Sequence, residues 1–182
     1  MNIGRLLLRV SVGGFFVGHG TQKLFGWFDG HGLEATAQGF ESLGMRPGKA
    51  NAIAAGAAEA GGGALLALGL ETPLAASVLT ATMITAIEKV HAKSGPWASK
   101  GGYEYNVVLI AAVLALVDAG PGALSLDAAR GRVRSGSGWT LAALITGALG
   151  AFGARAASSA APPPAPAEVT ESEGAEQEAQ TA

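Results

Sequence analysis

The chain has 182 residues, 49% of them hydrophobic and only 14% charged, with a formal net charge of −2. Glu168, Glu171, Glu173, Glu176 and Glu178 crowd its end, so the remainder is mildly basic, with no Lys/Arg stripe that would bind nucleic acid. The absence of cysteine excludes disulfides, thiolate metal sites and thiol redox chemistry of the chain's own, so any redox chemistry must be borrowed.

A positive mean hydropathy points to a small all-α integral membrane protein whose first partner is the lipid bilayer. The first apolar span runs from Ile3 to about Phe28, opened by Arg5 and Arg9. Its basic start is like that of a signal peptide, but no small-x-small cleavage site precedes Lys23 and further spans follow, so a retained helix is expected. Residues 29 to 49 form a glycine-rich connection. Within it Leu33, Ala37, Phe40 and Leu43 recur at the spacing of a short interfacial helix.

The second span, Ala50 to Leu70, is built of Ala, Gly, Leu and Ile, with Asn51 and Glu59 its polar members. As a helix it covers roughly 30 Å, the thickness of a bilayer core, with Glu59 near the middle. A carboxylate at that depth costs at least ~2.5 kcal/mol, so it is expected to face protein groups or trapped water and to serve a function. Glu71-Thr72-Pro73 turns tightly into the third span, Leu74 to about His91, as an antiparallel neighbour. The fourth span, Tyr103 to about Ala119, opens with Glu104 and Asn106. Gly14 with Gly18, and Gly56 with Ala60 followed by Gly61 to Gly63, are candidate close-packing positions.

After Pro121 come Arg130, Arg132 and Arg134, then Trp139 to Phe152, a run short for a span that reads equally as a crossing or a peripheral helix. From Ala156 the composition turns to Ala, Pro, Ser and Glu and is expected to be disordered. The resulting division is a four-helix transmembrane domain over 1–128, a basic linker with a short apolar helix over 129–155, and a tail over 156–182.

Antiparallel packing puts His19, Gln22, Lys23, Glu88, His91, Glu104 and Asn106 at one end of the bundle. Glu59 lies about 13 Å in from that end. The other end offers Arg5, Arg9, Glu71 and Asp118. A one-sided polar pocket follows, with Glu59 and His19 as candidate catalytic groups and Gln22, Lys23, Glu88, His91 and Asn106 as candidate ligand contacts. Trp27, Trp97, Tyr103 and Tyr105 are expected at the membrane interface. Glu88 and His91 make an i, i+3 pair, but a single pair does not build a metal centre and none is expected.

Arg5 to Arg9, the run His19-Gly-Thr-Gln-Lys-Leu-Phe-Gly26, Glu59 in a glycine-rich span, Glu88, and Gly120-Pro-Gly-Ala-Leu-Ser-Leu-Asp127 together resemble the DoxX family of small bacterial membrane proteins. The resemblance covers roughly residues 3 to 128. It implies a four-helix inner-membrane protein related to a subunit of thiosulfate:quinone oxidoreductase, linked in some members to membrane oxidoreductase assemblies. On this reading the chain is an oxidoreductase accessory rather than a self-sufficient enzyme, with oxidoreductase proteins as partners. Its pocket holds a quinone or similar molecule, His19 or Lys23 donating to a carbonyl and Glu59 handling a proton, with no covalently bound cofactor. Two other readings stay open, a small-solute or proton carrier and a non-catalytic scaffold that recruits enzymes. A homo-oligomer is compatible with each. Arg5, Arg9 and the arginines after the fourth span favour a cytoplasmic N-terminus.

Overall fold

The computed structural model describes residues 3 to 160, all-helical with no strand among them. The helices are α1 (Ile3–Phe25), α2 (Gly32–Ser42), α3 (Gly48–Leu68), α4 (Thr72–Ala86), α5 (Glu104–Ala119), α6 (Leu126–Ala129) and α7 (Ser137–Ala160). A π-helical turn, Ile87–His91, and a 3-10 turn, Ala92–Ser94, continue α4. Three helical stretches are long and apolar enough to cross a membrane: α3, α4 with its continuing turns, and α7. α1 has the length, about 35 Å at 1.5 Å per residue, but carries Arg5, Arg9 and Lys23. α5 is only 16 residues long, about 24 Å.

The last helix departs from expectation. The run Trp139 to Phe152 looked short, yet α7 spans 24 residues and includes Ala156 to Ala160, which the composition assigned to a disordered tail. Alanine's high helix propensity carries the helix onward. The rest of that tail lies outside the described residues.

α1 and α3 lie antiparallel along a seam of small residues. A Cβ placed on Gly13 would come within 2.5 Å of the Gly63 carbonyl oxygen, and one on Gly20 within 2.5 Å of the Gly56 oxygen. Such close backbone approach is what holds helices together in lipid, where apolar burial alone gives little preference. The expected pair, Gly14 and Gly18, has no neighbour within 4 Å and takes no part. The seam repeats at seven residues, in Gly13 with Gly20 and Gly56 with Gly63, because these positions return to one side of a helix.

α4 is the central helix. Its Ala75, Ala76, Leu79 and Met83 join Val12 and Phe16 of α1, Leu66 of α3, Val113, Leu116 and Val117 of α5 and Ala143 of α7 in one core. Large apolar side chains also cover the outside, among them Leu7, Phe15, Val108, Leu149 and Phe152. This is the surface expected where lipid replaces water.

The end of the bundle opposite the expected pocket is more polar than the sequence reading allowed. Arg9 is 3% exposed and donates to the carbonyl oxygens of Ala67 (3.0 Å), Pro121 (2.7 Å) and Leu124 (2.5 Å). Asp127, also 3% exposed, accepts from the backbone N–H of Glu71 (2.8 Å) and Thr72 (3.1 Å) and from the Thr72 hydroxyl (2.8 Å). It thereby caps the N-terminus of α4, which has no local side-chain cap. Arg5 donates to Ala119 O, and Arg134 pairs with Glu71. This clamp closes the bundle at its N-terminal end, while the loop and helix ends around Lys23 remain open for a site.

Candidate functional site

Lys23 lies in the last turn of α1, where a cation is favoured by the helix dipole. The close approach of Gly20 to Gly56 and Ala60 carries it to Glu59 on α3, and Lys23 Nζ donates to Glu59 Oε2 at 2.5 Å. The Glu59 side chain is 7% exposed and that of Lys23 27%. The carboxylate deep in an apolar helix therefore has a cation as its partner.

Two cavities meet at Lys23. The first, about 420 Å³, reaches Glu59 and is walled largely by apolar residues, including Ala55 and Ala58 of α3, Ala81 of α4 and Met45. Its polar groups are Lys23, Glu59, Asn51, Thr82, Thr85, Lys89 and His91. The second, about 550 Å³, is lined by His19, Gln22, Asp29, His31 and Thr36. Lys23, Phe40, Leu43 and Val90 belong to both walls. α2 thus roofs both cavities, packed on α3 and tied to it where Glu34 meets Lys49 at 2.6 Å and Glu41 accepts from Gly48 N–H at 2.6 Å.

The sequence-derived candidates divide between these places. Lys23 and Glu59 are in contact. His19 and Gln22 line the second cavity, His19 Nδ1 donating to Gln22 Oε1 at 3.1 Å and Gln22 Nε2 to Phe28 O at 3.2 Å. His91 lines the first cavity, its Nδ1 donating to Gly101 O at 2.7 Å. Glu88 and Asn106 line neither cavity. The π-helical turn directs Glu88 toward α7, where it meets Arg155 at 3.1 Å. Asn106 is buried in the α4–α5 seam and donates to Met83 Sδ at 3.4 Å. Among the described residues no three His, Asp or Glu side chains cluster as metal ligands.

The sequence reading missed Asp29 and His31, which stand in the turn between α1 and α2, and Lys89 of the π-helical turn. Turn geometry has no period to reveal it. The one local signal was the polar triplet Asp29-Gly30-His31 directly after the first span.

Comparison with known proteins follows the same residues. The model of the DoxX family matches residues 4–92. A Bacillus subtilis protein named "Putative oxidoreductase CatD" is 37% identical over 125 residues, which cover 69% of this chain and 85% of that protein. The chain belongs to the DoxX family. No solved structure matches it.

In this DoxX protein the two motifs behind the resemblance have separate roles. His19 to Gly26 supplies the cavity side chains His19, Gln22 and Lys23. Gly120 to Asp127 builds the clamp at the far end, through the Pro121 and Leu124 carbonyls and the Asp127 carboxylate.

Proposed function

We propose that this membrane protein is a quinone-interacting accessory subunit of a membrane oxidoreductase system, set in the bacterial inner membrane with its N-terminus in the cytoplasm. The observation that carries the reading is the Lys23–Glu59 pair at the wall of the first cavity. A cavity of about 420 Å³ falls in the range that takes a small ring-bearing ligand. Its largely apolar wall suits a flat apolar ring, and its few polar groups suit carbonyl oxygens. The Lys23 ammonium would donate to one carbonyl, and the Glu59 carboxylate would hold or release a proton beside it. The second cavity, also lined by Lys23, offers the imidazoles of His19 and His31 as further hydrogen-bonding groups. When bound, a quinone supplies acceptor chemistry for two electrons and two protons. The chain has no cysteine, and its electrons would come from a partner oxidoreductase. Family membership and the name of the Bacillus relative are compatible with this role.

Equilibrium binding of a short-chain benzoquinone to the purified protein tests the reading. Lys23→Met and Glu59→Gln should each weaken binding about tenfold or more, as expected for a lost charged hydrogen bond. His19→Ala, in the neighbouring cavity, should have a smaller effect. Equal affinity in wild type and in folded Lys23→Met and Glu59→Gln proteins would rule this role out.

A further inference from the structure

α7 contacts the bundle in two ways. Near its middle it is locked onto α4: Thr146 Oγ1 donates to Ser77 Oγ at 2.8 Å, and a Cβ on Gly147 would stand 2.8 Å from Thr80 Cβ. Nearer its C-terminus side chains tie it down, Arg155 to Glu88 at 3.1 Å and Ser158 Oγ to Asn51 Oδ1 at 3.3 Å. Between these attachments Gly150 and Ala154, one helical turn apart, form part of the first cavity's wall.

Packing requires a small residue at Gly147 but not equally at these two positions. A Cβ on Gly150 would meet one neighbour, the Ala81 methyl at 3.3 Å, and Ala154 is only half-buried. Outward positions nearby are large: Leu149 is 63% exposed and Phe152 69%. Small side chains at 150 and 154 therefore leave the cavity open where bulk could be accommodated. The α3 side of the same wall is made by the methyl groups of Ala55 and Ala58, while Ala81 of α4 adjoins Gly150. A larger side chain at position 154 of α7 would take up cavity volume on this side.

We propose that Gly150 and Ala154 set the width of the ring system the cavity accepts, making α7 a specificity-determining wall; this rests on the quinone reading above. The test compares the affinities of the full-length protein for a decyl-substituted benzoquinone and a short-chain naphthoquinone. Ala154→Leu should weaken binding of the two-ring quinone at least about tenfold and of the one-ring quinone less than about threefold, since added bulk penalises the wider ligand more. Ala157→Leu, which adds the same bulk at an exposed position outside the cavity, should leave the affinity ratio unchanged. If Ala154→Leu does not fold, Ala154→Val should shift the ratio in the same direction by about threefold. An unchanged ratio in the Ala154 variant, with both affinities intact or both reduced by one factor, overturns the assignment while leaving the quinone reading in place. Wild-type protein that binds neither quinone overturns the reading of the site, and the assignment with it.

Discussion

Lys23 and Glu59 stabilise each other because each charge would be costly alone at this depth. Removing one partner of a fully buried pair costs about 3 to 5 kcal/mol, and the 27% exposure of Lys23 lowers that to about 1 to 3 kcal/mol here. Glu59→Gln and Lys23→Met should each lower thermal stability in detergent by that amount. The double variant Lys23→Met/Glu59→Leu should recover most of the loss, since apolar replacements leave no uncompensated charge. A double variant as unstable as the sum of the singles would show that the two residues act independently. Glu59 was legible in the sequence because nothing near it in the chain is charged. Its partner was legible only as one of several polar groups at the same depth. Glu88 and Asn106 share that depth, but helix rotation, which depth does not fix, turns one to α7 and the other into the α4–α5 seam.

Two remote carboxylates start two helices. Pro47 and Glu71 precede α3 and α4 without capping them, and Glu41 of α2 and Asp127 of α6 accept from the free N–H groups instead. A cap supplied from another element leaves no local motif, so it could not be read from sequence. The helices α1, α3, α4 and α5 were readable because each is a long apolar run bounded by polar or turn-forming residues. α7 was underestimated because its apolar run was ended at Phe152, whereas alanine-rich residues carry the helix on to Ala160. The seam between α1 and α3 gives a sharper test. Gly13→Ala should destabilise the protein by about 1 to 3 kcal/mol through overpacking against the Gly63 carbonyl, and Gly14→Ala should be neutral or slightly stabilising. Thermal melts of the two variants side by side check this, and equal melting temperatures would remove the seam's role.

At the scale of the molecule, α1, α3, α4, α5 and α7 alternate in direction or follow a crossing connection. The start of α1 and the end of α7 consequently lie at opposite ends of the bundle. Arg9 of α1 meets Pro121 and Leu124 at one end, and Ser158 of α7 meets Asn51 at the other. The chain has no cysteine, so single cysteines report topology without interference. Gly4→Cys and Ser159→Cys should react with a membrane-impermeant maleimide from opposite sides of sealed vesicles. Labelling from one side would mean that α1 or α7 lies along the membrane instead of crossing it.

The clamp also imposes an order on biosynthesis. Arg9 leaves the ribosome more than a hundred residues before its acceptors at Pro121 and Leu124. The α4 N-terminus likewise waits for Asp127, which follows Thr72 by 55 positions. Until then Arg9 has the Ala67 carbonyl but neither later acceptor, and the α4 N-terminus lacks its carboxylate cap. One stretch of chain, Gly120 to Asp127, thus completes the Arg9 contacts and the α4 cap together.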